Sequence, residues 1–113
     1  MVAATTAMRG EVWVCALPQP IGPHPVVILT VNRVAAPLSS VTVAVITGSS
    51  GPAITHIPVG PDSGLTKYAE SYVNCTDLHT VSKPRLRRRL GLLSASELHR
   101  IEDSLRLTLG LDR

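Results

Sequence analysis

Val26-Val27-Ile28-Leu29 and the run from Val41 to Thr47 are short, rich in β-branched residues and bounded by proline, glycine or serine, and they leave this chain few alternatives to a sheet. Valine and isoleucine lose side-chain freedom in a helix but pack well on a pleated surface. The first run is apolar throughout, as a strand covered on both faces must be, so His24 to Val31 is expected mid-sheet. The second predicts a strand over Ser40 to Thr47, stopped by Gly48-Ser49-Ser50-Gly51-Pro52. Ahead of both, Gly10 to Leu17 alternates, with Val12, Val14 and Ala16 on one face and Trp13, Cys15 and Leu17 on the other. Phenylalanine is absent, so the core is expected to consist of Val, Leu, Ile and Ala, with Trp13 as its one large anchor.

Between these runs lie a stiff loop, Pro18 to Pro23, and a connection expected to be plain loop, Asn32 to Ser39. Shorter strands are predicted near Ile54 to Val59 and Ser71 to Thr76, around the turn-rich Gly60 to Gly64. Ser82 and Pro84 suggest a short helical turn at the start of the arginine run. One long helix is expected. It begins at Ser94, where Ser94 and Glu97 have capping-box spacing, and ends at Gly110. Leu98, Ile101, Leu105 and Leu109 recur at helical spacing, while His99, Arg100, Glu102 and Arg106 face away. A helix laid on a twisted antiparallel sheet gives a mainly β fold with minor α, a small, partly closed barrel.

At 113 residues the chain has room for one core. Residues 1–8 are expected to be a disordered or extended leader, with Met8 a possible alternative start, and residues 9–113 a single domain. No apolar run is long enough to span a bilayer or to serve as a signal peptide, so no membrane association and a cytoplasmic location are expected. Cys15 and Cys75 lie in predicted strands and are expected to be reduced core thiols. The four scattered histidines and two lone cysteines lack metal-ligand spacing, so neither metal nor cofactor is expected. The net charge of +3 is mild, but Arg85, Arg87, Arg88 and Arg89 concentrate it, which makes polyanions plausible partners.

Four segments in order carry a resemblance. They are Arg9-Gly10-Glu11-Val12-Trp13; Pro25 to Leu29 with Asn32; Val43 to Ser49; and Ser71-Tyr72-Val73 through Leu78-His79-Thr80-Val81 to Leu86, continued by Leu90, Gly91, Leu93, Ser94, Glu97 and Leu98. Over nearly all the chain after Met8 this pattern resembles the MazF/PemK/Kid family of toxin endoribonucleases, in its mycobacterial MazF-like form. The resemblance implies an SH3-like, CcdB/PemK-like barrel with a C-terminal helix. It also implies the toxin of a type II toxin-antitoxin system that cuts single-stranded RNA without a metal and so inhibits translation and growth. A homodimer with an RNA groove across its interface is implied too, as is a MazE-like antitoxin whose disordered tail fills that groove.

The resemblance places catalysis at His24, where the family usually has arginine, and at Thr47, the counterpart of its catalytic threonine. A guanidinium holds phosphate permanently, whereas an imidazole exchanges protons near neutrality. His24 is therefore expected to act as general acid or base, Thr47 to hydrogen-bond a phosphate oxygen, and Ser49 to assist. RNA contacts are implied at Asn74 and Thr76, at Asp77 where the family has glutamine, at His79 where it has arginine, and in an auxiliary role at Arg85 and Arg87. The family's Gly-x-Glu-Gln loop has no clear counterpart in Pro18 to Gly22. Each of these positions has a plain structural alternative: a turn-shaping histidine between prolines, a strand-ending threonine, a solvated arginine face. His56 and His99 are read as structural. The competing functional readings are a CcdB-like toxin that binds DNA gyrase without cleaving nucleic acid, and an SH3-like binding module relying on Trp13, Tyr68 and Tyr72.

Overall fold

The computed structural model describes residues 6–65 and 70–111. Its strands are β1 (Glu11–Ala16), β2 (Pro23–Ile28), β3 (Ser40–Thr47), β4 (His56–Val59), β5 (Ser71–Ser82) and β6 (Leu86–Leu92). The helices are α1 (Asn32–Ala35) and α2 (Ala95–Thr108). All strand pairings are antiparallel, in the order β4-β5-β3-β2-β1-β6. The expected mainly β, twisted antiparallel fold with a C-terminal helix is the one observed. β2 and β3 occupy the middle, and Val26, Val27 and Ile28 are inaccessible to solvent.

Two apolar clusters lie on the two sides of the sheet. On one side Cys15, Leu17, Val26, Ile28, Val43 and Val45 pack with Val81 and Leu86. On the other, Val12, Val27, Ala44, Ile46 and Val73 receive Leu98, Ile101 and Leu105 of α2. The helix begins as expected: the Ser94 hydroxyl accepts from the Glu97 N–H, and the Glu97 carboxylate accepts from the Ser94 N–H. Its C-terminal Gly110 has φ of +66°.

Several boundaries differ from the sequence expectation. Asn32 to Ser39 is not plain loop but opens with the single turn α1, and β2 ends at Ile28 rather than Val31. β4 starts at His56, not Ile54. β5 does not stop at Thr76 but runs to Ser82, because its register against β3 shifts between the pairs Ala44–Leu78 and Val45–Asn74. Cys75, Thr76 and Asp77 are the extra residues of this bulge, so the polar break in the pattern bends the strand without ending it. The short turn over Lys83–Arg85 is present, but the rest of the arginine run is strand β6. Trp13 is only partly buried, its indole N–H donating to Glu11, so the core is anchored by β-branched residues instead. Leu109 is exposed, and the buried face of α2 includes Glu97 and Ser104.

The barrel is closed by backbone, not by a further ladder. After β4 the chain turns through Pro61–Ser63 and lies against β6, where a Cβ on Gly91 would sit 2.3 Å from the Asp62 carbonyl oxygen and one on Gly64 2.0 Å from that of Leu90. Only glycine allows this approach. Of the leader, residues 1–5 lie outside the described residues; Ala7 is buried and the Met8 N–H donates to Glu11. Cys15 and Cys75 are free and buried, and burial pushes both thiols up, as expected of core thiols. Among the described residues no helix is long and apolar enough to cross a membrane.

Candidate active site

The ladder between β2 and β3 pairs Ile28 with Val43 and Val26 with Val45. Carried two residues further, the same register sets His24 opposite Thr47, and directly opposed residues point to the same face. His24 and Thr47 line one hollow of about 80 Å³ with Pro23, Pro25, Ile46, Leu65 and Ser71. Prolines on both sides of His24 stiffen the start of β2, which suits a side chain that must be held in place.

The hydrogen bonds leave each group with one free function. His24 Nε2 lies 2.6 Å from the Ile46 carbonyl oxygen, which can only accept, so Nε2 carries the hydrogen and Nδ1 is the nitrogen able to take a proton. Thr47 Oγ1 accepts from the Ser49 N–H at 3.1 Å, so its own hydrogen remains available to a ligand. Ser49 is thereby placed beside Thr47 by its backbone, and its residue is exposed.

The other expected contact residues approach from both sides of the sheet. On β5, Asn74 pairs with Val45, one row from Thr47, and its Oδ1 accepts from the Thr76 N–H at 3.0 Å and hydroxyl at 2.7 Å. Asp77 and His79 form their own pair, Oδ1 to Nε2 at 2.8 Å, with His79 opposite Val43, a further row away. On the other side Cys15 faces His24 across β1, and Leu86 faces Cys15. The base of β6 is therefore two strand spacings, about 10 Å, from His24. Arg85 donates to the Ala16 carbonyl oxygen at 3.0 Å and Arg89 to Glu11 at 2.7 Å, while Arg87 and Arg88 are exposed and, among the described residues, form no ion pair. Arg85 and Arg87 both act electrostatically on Cys15, the residue opposite His24 in the β1–β2 ladder. Among the described residues no group of three His, Cys, Asp or Glu side chains is placed to hold a metal ion.

A model of the family described as "PemK-like, MazF-like toxin of type II toxin-antitoxin system" matches residues 8–109. The chain belongs to this toxin family. "Probable endoribonuclease MazF2" of Mycobacterium tuberculosis is 29% identical over 102 residues, which are 90% of this chain and 97% of that protein. The solved structure of Mycobacterium tuberculosis toxin MazF-mt6 is 30% identical, covers 91% of this chain and 99% of its own, and superposes with a TM-score of 0.80. An endoribonuclease in complex with its cognate antitoxin, from a mycobacterial species, is 26% identical, covers 94% and 97% of the two chains, and has a TM-score of 0.82.

In this PemK/MazF-like chain the walls of the hollow were not foreseen. Leu65 precedes β5 and Ser71 opens it, and both share the hollow with His24 because β5 lies against β3. Proline on either side of His24 was a usable cue. His56, read as structural, pairs with Asn74 in the β4–β5 ladder and so shares its face. Tyr68 lies outside the described residues.

Proposed function

We propose that this PemK/MazF-like toxin is an endoribonuclease that cuts single-stranded RNA by turning the ribose 2'-hydroxyl on the adjacent phosphate. The observation that carries this reading is that His24 and Thr47 line one hollow with complementary free functions. His24 Nδ1 takes the 2'-hydroxyl proton as the oxygen–phosphorus bond forms, and Thr47 donates to a phosphate oxygen where charge accumulates. The bond to the 5'-oxygen breaks, and that oxygen is protonated by water. The products are a 2',3'-cyclic phosphate and a 5'-hydroxyl, and no step requires a metal.

Ser49, Asn74, Thr76, Asp77 and His79 are proposed to contact the RNA on the β5 side, with Arg85 and Arg87 adding phosphate attraction from the β6 side. Unpaired bases can enter the loops after Leu17 and Thr47, whereas a duplex hides them. Relatives named as an endoribonuclease, and as one bound to its cognate antitoxin, support a cytoplasmic toxin held in check by a MazE-like antitoxin. A homodimer, with messenger, ribosomal or transfer RNA as target, completes the proposal.

The test is to incubate the purified protein with total RNA in EDTA and map the new ends. Cuts with 5'-hydroxyl termini at a repeated sequence are expected, with His24→Ala slower by about 100-fold or more. Parent-like cutting by His24→Ala would remove His24 from the mechanism. Intact RNA together with inhibited gyrase would instead indicate a CcdB-like toxin.

A further inference from the structure

The segment between Thr47 and His56 is a crossover. β3 and β4 each pair antiparallel with β5, so they run parallel to each other with β5 between them. The chain leaves β3 at Thr47, opposite Tyr72, and re-enters the sheet at His56, opposite Asn74. It must therefore cross β5 and double back by two residues. Gly51 identifies the face it crosses: a Cβ there would lie 2.6 Å from both Cε1 and Nδ1 of His56, so the glycine rests directly against the imidazole. His56 shares the face of Asn74 and Val45, the face that carries Thr47 and His24.

The ring is held for this role. The Thr55 hydroxyl donates to the Pro52 carbonyl oxygen at 3.2 Å, and its oxygen accepts from His56 Nδ1 at 2.8 Å. The Thr55 and His56 N–H groups bond to the same Pro52 oxygen, at 3.0 and 2.9 Å. At the other end of the segment, the Ser49 N–H is tied to Thr47. Both ends of a glycine- and serine-rich stretch are thus fastened, one to a strand end in the proposed active site and one to an imidazole.

We propose that His56 is a positioning residue: it seats Gly51, and through it holds Ser50–Pro52 as a wall beside Thr47 and Ser49 that orders the bound RNA. The identity of what the wall encloses rests on the endoribonuclease reading; the seat itself does not.

The experiment uses His56→Ala, Gly51→Ala and the double variant, with two readouts. One is amide hydrogen exchange from Ser49 to Thr55. The other is cleavage of a single-stranded RNA oligonucleotide carrying the cut sequence mapped from total RNA. Each single variant is expected to speed exchange about tenfold and raise KM about tenfold with kcat within about twofold. The double variant is expected to be no worse than His56→Ala, because the three atoms nearest the added methyl all belong to the ring that this variant removes. Gly51 is exposed, so its alanine variant keeps the contact testable if His56→Ala unfolds. Unchanged exchange in the single variants, costs that multiply in the double variant, or a fall in kcat at constant KM would each overturn the proposal. A parent that cuts no RNA would defeat the endoribonuclease reading, and exchange alone would then decide the seat.

Discussion

Thr47 ends a strand whose β-branched residues hold the centre of the sheet, so its shape and its hydroxyl can be separated by substitution. Thr47→Val keeps the branching and removes the donor. Folding is expected to survive, with Tm within a few degrees of the parent, while kcat on RNA falls about 100-fold, as when one oxyanion donor is lost. Arg87 is exposed on β6, two strands from His24. Arg87→Gln is expected to weaken RNA binding whatever the base sequence, and to reduce the slope of log affinity against log salt by about 0.7. Titrations at several salt concentrations measure both. The places of His24 and Thr47 at strand ends were legible because each borders an apolar run whose strand character is local. The hollow they share was not, because Leu65 and Ser71 enter it from a segment brought in by strand pairing.

The elements differ in how much of their energy is local. The capping box of α2 involves residues three apart, and its sequence signature was sufficient to place the helix start. The same Glu97 carboxylate also accepts from the Gly60 N–H at 2.6 Å, which fastens the helix to the turn after β4. That second bond has no local signature. Burial alone would raise the Glu97 carboxyl, but bonds from the Ser94 and Gly60 N–H groups outweigh it and hold the group below its ordinary range. A depressed folded-state value means the full contribution is present above the unfolded value of about 4.3 and is lost as pH falls through the folded value. Tm measured from neutral pH down to about pH 3 is expected to fall less steeply for Glu97→Gln than for the parent. β5 shows the opposite case. Its polar residues Asn74, Thr76 and Asp77 interrupt the apolar pattern and suggest an ending, yet the strand continues because β3 pairs with it on both sides of the bulge.

At the scale of the molecule, closure rests on Gly64 and Gly91, where the turn after β4 meets β6. Gly91→Ala places a methyl 2.3 Å from the Asp62 carbonyl oxygen, against backbone that has no rotamer to adopt. It is expected to cost about 3 kcal/mol, a fall in Tm of roughly 15 °C, measurable by thermal unfolding. Arg9 makes a second long-range tie: its guanidinium donates to the Leu29 carbonyl oxygen and, at 2.7 Å, to Glu102 of α2. By itself the sequence determined what short-range physics decides: where β-branched runs become strands, where proline and glycine end them, and where a capped amphipathic helix begins. Register, the bulge in β5, the approach of Arg85 to the row of His24, and the seat of Gly51 on His56 were decided only by tertiary structure. Each depends on which distant backbone donors and acceptors meet, and several strand pairings satisfy the same local pattern until one of them closes the core.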